Sequence, residues 1–415
     1  MNPVFFLRHF NDIDHISPIM WECLEQADDV VAILLDSTYP GESDPRLQFL
    51  QQYDNFELRT IDDVLGLSWG KPMFRLGEND TEPASYVYQY LRRLLQKTRL
   101  SNRYAVPALR EVNPTACIFE WGPPQRTSHA EFYHAATKLG IPRISVPHGA
   151  HIYTHIDIKD VRTNAAENGD RIMASRNGYD AYVEQSEFHK ESNTFFGVRP
   201  DNHYLIGSAR YYPEWQAINE EFYDAYEPAV ETDDKLTVVF MLPHWKYHVD
   251  KGQTLQLLSE LATEEWVHLI IKEHTRGDSL PSDMYSSMET NSNTEIIADI
   301  PSVSLIKESD AVINFGSSIG IEAFLQEKHH LYPSYLHSNN TAFDRSNAGH
   351  QPTTNAETVD ILRDLHRGNA PEQSEANIHE LYRLMIYGGR EPFDVPYEYR
   401  ALIESLSTDW KSDAH

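Results

Sequence analysis

The segment Val312–Phe324, VINFGSSIGIEAF, passes from apolar residues through a turn rich in glycine and serine into residues with helical spacing. Residues 311–314 have the composition of a short buried strand, and the apolar residues of 319–326 fall on one face of a helix. A strand that leads directly into a helix is the repeating unit of α/β proteins. This segment therefore predicts the fold class and draws attention to its turn.

The turn consists of Gly316, Ser317 and Ser318. The first residues of a helix carry unpaired backbone N–H groups and partial positive charge, and serine hydroxyls add further donors. Such a turn is suited to an anion such as a phosphate. The alternative is structural, with a serine that caps the helix and Gly320 allowing close packing.

Apolar runs and helix-like runs alternate along the chain, which predicts an α/β fold with mainly parallel strands. Residues 221–234 are acidic and poor in aliphatic residues, so we expect a linker between two α/β domains there. The predicted strands are 3–9, 30–36, 116–122, 143–149, 181–186 and 202–210 before the linker, and 235–243, 267–274, 294–299 and 311–318 after it.

Composition narrows the class of protein. The chain has 415 residues, of which 40% are apolar, and this is enough for two domains that each bury a core. We find no apolar run long enough to span a membrane, no signal peptide and no lipidation motif, so we expect a cytoplasmic protein. Cys23 and Cys117 are too few for a disulfide framework. A net charge of −28 argues against nucleic acid as a partner.

One segment of this acidic chain is basic. No acidic residue lies between Glu82 and Glu111, and basic residues cluster over 92–110. A basic face of this kind could bring the protein to the inner face of the cell membrane or to a lipid-linked acceptor. The alternative is a solvated helix face, or one that lines a ligand cleft.

Polar residues stand at the C-terminal ends of four predicted strands, where ligands of open α/β sheets bind. They are Glu120 in CIFEWG, His148 and Gly149 in SVPHGAH, Lys272, His274 and Arg276 in LIIKEHTRG, and Ser317 with Ser318 in VINFGSS. The shared location of these residues indicates a functional site.

Each of these residues also has a structural explanation. His148 could be a hydrogen-bonded core histidine, and Glu120 could pair with Arg126 or Arg143. Lys272 could belong to a solvated strand end. These alternatives stay open at the level of the sequence.

Two motifs of the second half resemble GT-B glycosyltransferases that build bacterial surface polysaccharides. They are IIKEHTRGD (270–278) and VINFGSSIGIEAFLQEKHHLYPSY (312–335). The likeness is to the capsule-synthesis group and the related CDP-glycerol glycerophosphotransferases. KLGIPRISVPHGAHIY (138–153) is similar to their strand that ends in His-Gly, and HYLIGSARYYPEW (203–215) to their Gly-x-x-Arg segment. The resemblance covers roughly residues 116–335.

The resemblance implies an α/β fold of the GT-B type, with two Rossmann-like domains and a central cleft. The expected limits are 1–225 for an acceptor-side domain, 235–390 for a domain that binds the nucleotide donor, and 391–415 for a segment that packs back on the first domain. It further implies that Gly149, Arg210 and His244 line the cleft. Glu322 would bind the ribose of the donor, although it could equally be an acidic first-turn residue favoured by the helix dipole.

The sequence departs from the family pattern in two places. Glu273-His274-Thr275 replaces the usual Pro-His-Pro, and Arg276 adds a guanidinium suited to phosphate. His329-His330 stands where Lys-Pro-Val is usual. The nucleotide base, of CMP, CDP or UDP type, therefore stays unresolved.

Glycosyl transfer requires stabilisation of the leaving phosphate and a base for the acceptor hydroxyl. The predicted phosphate ligands are Lys272, His274, Arg276, Gly316, Ser317 and Ser318, and the predicted base is His148 or Glu120. Because cations and N–H groups can hold the phosphate, we expect neither a metal nor another cofactor.

We therefore expect a glycosyltransferase, or an alditol-phosphate transferase, that moves its group from a nucleotide-activated donor to a growing cell-surface glycan. Two alternatives belong to other classes. A two-domain nucleotide-sugar epimerase would share the phosphate turn and would need no acceptor. A non-catalytic nucleotide-binding scaffold would bind its ligand without turnover.

Overall fold

The computed structural model describes the chain apart from residues 37–38, 66–101, 126–128, 153–172, 225, 230–231, 233, 246–247, 275–278, 370 and 414–415. The described residues form two compact units. The first comprises those of Met1–Gly149, Gly169–Tyr212 and Tyr387–His415, and the second those of Ala150–Asn168 and Pro213–Ile386.

The first unit is built on a parallel sheet with the strand order β3-β2-β1-β4-β5-β6-β7. Every residue of β1, β2 and β4 is buried, as expected for a sheet covered by helices on both faces. The strands are β1 (Pro3–Leu7), β2 (Val30–Leu34), β3 (Phe56–Thr60), β4 (Ala116–Glu120), β5 (Arg143–Val146), β6 (Ala181–Glu184) and β7 (His203–Leu205).

Helices connect these strands, since parallel neighbours can be joined only by a crossover. They are α1 (Phe10–Glu25), α2 (Pro45–Leu50), α3 (Ile61–Leu65), α4 (Asn102–Val112), α5 (Ala130–Leu139) and α6 (Glu187–Phe195). The last helix of the chain, Val395–Asp413, also belongs to this unit. In it, Tyr399 donates a hydrogen bond to the carbonyl of Gly207 at 2.7 Å, and Arg400 Nε lies 2.9 Å from Asp28 Oδ2.

The second unit is built on a parallel sheet with the order β10-β9-β8-β11-β12. Its strands are β8 (Leu236–Met241), β9 (Val267–Lys272), β10 (Thr294–Ile297), β11 (Ala311–Ile313) and β12 (His329–Leu331). Its helices are α7 (Pro213–Glu221), α8 (Lys251–Ala262), α9 (Ser282–Glu289), α10 (Ser302–Glu308), α11 (Ile319–Leu325), α12 (Ala342–Ser346), α13 (Asn355–His366) and α14 (Glu375–Met385). The predicted α/β class with two parallel, helix-covered sheets is confirmed.

Two details differ from the sequence-based description. The chain passes for the last time into the second unit at Pro213 and not within 225–235, and Gln216 of α7 hydrogen-bonds Glu322 of that unit. Strands β3 and β12 were not predicted. Both are edge strands, which need fewer apolar residues because one of their sides has no neighbouring strand.

The segment proposed to meet a membrane is described only in part. Residues 92–101 lie outside the described residues, and 102–110 fall in α4. In the described part of the chain, no helix combines the length and the apolar character needed to cross a membrane.

A buried carboxylate ties together three segments of the first unit. Asp14 Oδ1 lies 2.6 Å from Arg46 Nη1, and Asp14 Oδ2 lies 2.5 Å from Arg210 Nε. Arg46 also contacts Asp44 at 2.7 Å. Burial alone would raise the pKa of Asp14, but the Arg210 and Arg46 guanidinium groups outweigh it and hold that pKa well below its ordinary value.

Asp14→Asn should lower the free energy of unfolding by about 3–5 kcal/mol at neutral pH, because it removes the carboxylate that faces buried Arg210 and one of the two carboxylates that face buried Arg46. Since the folded-state pKa of Asp14 is depressed, its contribution is complete above about pH 4 and decreases as the pH falls below that value. Denaturant titrations at pH 7 and pH 3 should therefore show a smaller difference between variant and wild type at the lower pH.

Asp360→Asn is the matched control, because Asp360 pairs with Arg363 on the surface with 67% of its side chain exposed. Its cost should be about 1 kcal/mol or less. Equal losses for the two variants would contradict a special role for the buried network.

Candidate functional site

In each sheet the strand order reverses at one point, and this point is where open α/β sheets bind ligands. The reversal lies between β1 and β4 in the first unit and between β8 and β11 in the second. Candidate residues predicted from the sequence stand at both points. Each unit is described separately below.

Glu120 is the last residue of β4 and has only 1% of its surface exposed. Its Oε2 accepts a hydrogen bond from the backbone N–H of Gly122 at 2.6 Å and lies 3.5 Å from Arg8 Nη2. Arg8 follows β1, the neighbouring strand, and its guanidinium makes two contacts of 2.9 Å with Asp12. The carboxylate of Glu120 is thus held at the reversal point by one guanidinium and one backbone donor.

His148 follows β5, the next strand of the same sheet, and its Nδ1 lies 2.9 Å from Glu120 Oε2. The side chain of His148 is 22% exposed, so its imidazole is accessible to solvent, whereas the carboxylate of Glu120 is not. The ring of Trp121 meets it edge-on, with 6.2 Å between the ring centroids. A buried carboxylate against a partly exposed imidazole can accept a proton and return it.

Sequence reasoning paired Glu120 with Arg126 or Arg143 as its structural alternative. Arg143 instead contacts Asp180 through two N···O distances of 2.8 and 2.7 Å, and Arg126 lies outside the described residues. Arg8, Asp12 and His129 were not predicted as site residues. The signal for Arg8 was its position at the end of the predicted strand 3–9.

The other residues of the first unit that were predicted to line a cleft have different surroundings. Gly149 follows His148 directly in the chain. Arg210 is buried in the ion-pair network with Asp14 described above, and its guanidinium lies 4.4 Å from the centre of the Tyr211 ring. Its role at a ligand site stays a prediction.

In the second unit, the turn that follows β11 is held by Asn314. The side-chain amide of Asn314 donates to the carbonyl of Ser317 at 2.8 Å, and its Oδ1 accepts from the backbone N–H of Gly316 at 3.2 Å. Ser317 is exposed, and its hydroxyl oxygen accepts from Ile319 N at 3.4 Å. Helix α11 has seven residues, so its dipole contributes little and a ligand would rely on individual donors.

Glu322 in α11 is buried and its carboxylate accepts a hydrogen bond from Gln216 Nε2 at 3.3 Å. Burial and then the charge of Glu322 raise the pKa of Glu220, which lies one turn of α7 further on. Gln216 and Glu220 were not predicted. They show that Glu322 sits among polar groups of α7.

Lys272 ends β9, and His274 and His244 follow β9 and β8, which are neighbours. Lys272 is buried, donates to the carbonyl of Ala298, and has its pKa lowered by that burial. The rings of His244 and His274 lie 5.2 Å apart. Arg276 lies outside the described residues.

The candidates of the second unit thus come from three adjacent strands, β9, β8 and β11. Within the described ranges, no group of three or more His, Cys, Asp or Glu side chains is arranged to hold a metal ion. Independence from metals stays a prediction.

No protein-family model matches the chain, and no curated protein sequence matches it. Solved structures do match over nearly the whole chain. Those described below are similar to this protein in fold.

The UDP-GlcNAc 2-epimerase from Neisseria meningitidis, solved bound to UDP-GlcNAc, has a TM-score of 0.59 at 11% identity, covering 98% of this chain and 99% of its own. The enzyme from Methanocaldococcus jannaschii, solved with UDP-GlcNAc and UDP, has a TM-score of 0.56 at 11% identity, covering 98% and 100%. The UDP-N-acetylglucosamine 2-epimerase from Rickettsia bellii has a TM-score of 0.56 at 11% identity, covering 98% of this chain and 97% of its own.

These findings support the GT-B-like two-domain fold and contradict the predicted function. The structures named above are UDP-GlcNAc 2-epimerases and not glycosyltransferases, so the prediction of a glycosyltransferase for cell-surface glycans is contradicted. The comparisons support neither the capsule-synthesis and CDP-glycerol groups nor a glycan acceptor. At such low identity the likeness establishes the fold alone.

Gly320, in the motif after the serine turn, is explained by packing. A Cβ at this position would lie 2.5 Å from His330 Nε2 and 2.8 Å from Phe343 Cζ. His330 is fully buried, and that burial lowers its pKa to about 3. The structural explanation given for this glycine therefore holds.

Gly320→Ala should lower the free energy of unfolding by about 1–3 kcal/mol, because a rigid ring on each side must shift to admit the methyl group. Gly252→Ala is the control. It lies in α8, where the nearest atom to an added Cβ is Asp250 Oδ1 at 3.5 Å, so stability should stay the same or rise by about 0.5–1 kcal/mol. Denaturant melts of both variants check this, and an unchanged Gly320→Ala protein would contradict it.

Proposed function

We propose that this protein is a nucleotide-sugar epimerase whose substrate is a UDP-N-acetylhexosamine. The observation that carries the proposal is the likeness of the whole chain, both units included, to several UDP-GlcNAc 2-epimerases at TM-scores of 0.56–0.59. Two of those structures were solved with UDP-GlcNAc or UDP bound. Because fold does not imply function, the proposal also depends on the chemistry of the site.

Epimerisation at a carbon that bears hydrogen requires groups that remove a proton and deliver one to the opposite face. In the first unit, His148 and Glu120 are proposed for this task. The imidazole, 2.9 Å from the carboxylate and partly exposed, is the group that meets the substrate. The carboxylate stabilises the imidazolium that forms when the imidazole takes up the proton.

The second unit is proposed to bind the nucleotide. Gly316, Ser317 and Ser318 would donate hydrogen bonds to the diphosphate. His244 and His274 follow β8 and β9, two adjacent strands of the same sheet. The ammonium of Lys272 has three N–H donors, so its bond to Ala298 leaves two for a ligand.

Glu322 is proposed to accept hydrogen bonds from the ribose hydroxyls. It is already buried and bonded by Gln216 Nε2, so its position is set before the ligand arrives. Arg276, the remaining predicted phosphate ligand, lies outside the described residues.

The reaction itself is tested by incubating the protein with UDP-GlcNAc in D₂O without any acceptor. The expected result is a second UDP-N-acetylhexosamine, with deuterium replacing hydrogen at carbon 2, detected by ¹H NMR. The same result is expected with EDTA present, because N–H groups and cations can hold the diphosphate without a metal.

Ligand binding is measured in parallel by thermal shift with UDP, CDP, CMP and GDP. A ligand at a hundred times its Kd stabilises the native state by about 2.7 kcal/mol. Binding of UDP-GlcNAc without any isomerisation would overturn the proposal and favour a non-catalytic binding protein. A shift confined to another base would overturn the assignment of the substrate.

His148→Ala should lower turnover by about 10²-fold or more, because the proton-transfer group is lost. UDP binding should stay near the wild-type value, since that part of the ligand is assigned to the second unit. His379→Ala, in the exposed part of α14, is the control and should match the wild type in both measurements. A His148→Ala protein with normal turnover would remove His148 from the site and leave Glu120 as the candidate.

A further inference from the structure

Two consecutive histidines in β12 replace residues that are usual in the resembled family, and the proposed reaction uses neither of them. His329 is the first residue of β12 and His330 the second. Successive side chains of a strand point to opposite faces. The ring of His330 packs against Phe324 and Phe343, with centroid distances of 5.1 and 5.0 Å. The ring of His329 lies instead against His350.

His350 is brought to β12 by backbone pairing with this edge strand. Its N–H donates to the carbonyl of His330 at 2.9 Å, and its carbonyl accepts from Tyr332 N at 2.8 Å. Gly349 permits the approach, because its φ is +76° and a Cβ there would lie 2.8 Å from the carbonyl oxygen of His330. The backbone therefore fixes the position from which the side chain of His350 extends.

Two ring nitrogens face each other where these side chains meet. His329 Nδ1 lies 3.4 Å from His350 Nε2, with 24° between the ring planes. Zinc–nitrogen bonds are about 2.0–2.1 Å long, so two nitrogen ligands of a tetrahedral ion stand about 3.3 Å apart. The observed separation matches this spacing. The alternative is a single N–H···N hydrogen bond, which would be long, since N–H···O bonds usually measure about 2.7–3.2 Å.

Both rings are neutral at pH 7, as metal ligands must be. Burial lowers the pKa of His329, and the charge of Asp310 opposes this only in part. Burial also lowers the pKa of His350 to about 4, and the charge of His329 adds to that effect. His350 is only 7% exposed, whereas His329 is partly exposed and offers a path by which an ion can enter.

We infer that His329 and His350 form a binding site for a divalent cation that favours imidazole ligands, such as Zn²⁺, Cu²⁺ or Ni²⁺. In the part of the chain that the structure describes, the pair does not belong to a group of three or more His, Cys, Asp or Glu side chains. Water therefore completes the coordination, and the affinity is modest.

The ion would fasten residue 350 to an edge strand 21 positions earlier in the chain, and so stabilise the second unit. The pair lies at the amino end of β12, whereas the candidate nucleotide ligands follow the carboxyl ends of β8, β9 and β11. The inference therefore does not depend on the proposed function.

Zinc titrations of the wild type and two variants test the site. His329→Asn and His350→Gln each replace an imidazole by an amide, which can still donate or accept a hydrogen bond but is a poor ligand for zinc. Isothermal titration calorimetry with ZnCl₂ should show one ion bound by the wild type, with an affinity at least about tenfold lower in each variant.

His379→Ala is the control, because it removes an exposed histidine of α14 and should bind zinc as the wild type does. Weak binding by others of the 20 histidines is common to the wild type and the two site variants, so the comparison removes it. Equal affinity in the wild type and both site variants would overturn the inference, and so would a wild type that binds no zinc.

Thermal melts separate the ion from the hydrogen bond. Saturating ZnCl₂ should raise the Tm of the wild type by at least about 2 °C and leave the Tm of both site variants unchanged. An equal rise in the variants would contradict the site. EDTA should reverse the rise without changing the turnover of UDP-GlcNAc. If the wild type epimerises nothing, the proposed function fails while the zinc result still decides the site.

A measurement on the wild type alone covers the case in which the variants do not fold, which near-UV circular dichroism would show. Cu²⁺ with ascorbate in air oxidises histidines that hold the ion, and mass spectrometry of peptides locates the added oxygen. We expect oxidation at His329 or His350 and none at His379. Oxidation at neither residue of the pair would refute the inference.

Discussion

Parallel strand pairing is the constraint on which the rest of this protein depends. Neighbouring parallel strands must be joined by crossovers, so helices cover both faces of each sheet and the strands become almost wholly apolar. Charged side chains can then gather where neighbouring strands end. Arg8, Glu120 and His148 come from three adjacent strands, β1, β4 and β5, and meet for this reason.

A charged group that is buried needs partners of opposite charge or hydrogen-bond donors. The partners of Glu120 differ in kind from those of Asp14. Glu120 receives a backbone N–H, a guanidinium and two imidazoles, which differ in their exposure to solvent. Asp14 forms ion pairs with two guanidinium groups, those of Arg46 and Arg210, and neither of these two partners is an exposed imidazole. The first arrangement is suited to moving a proton and the second to holding segments together.

The wrong prediction of a glycosyltransferase has a physical reason. A turn of glycine and serine residues that follows a strand recognises the phosphates of a nucleotide, and this recognition is the same whether the sugar is transferred or epimerised. The reaction is decided by groups near the sugar, and short motifs such as His148-Gly149 carry little information about them. The similarity of both units to UDP-GlcNAc 2-epimerases is a likeness of the whole fold, which no short motif contains.

The sequence by itself determined the α/β class, the strands with a continuous apolar run, and the polar residues at their ends. The reason is that a strand buried on both faces consists mostly of apolar residues, which the sequence shows directly. It left β3 and β12 unrecognised, since edge strands such as FELRT are only partly buried and carry a mixed pattern. Only the tertiary structure brought Tyr179 and His129 to Glu120. These residues lie 50 positions apart in the chain, and their hydrogen bond depends on the register of the sheet, which local spacing does not encode.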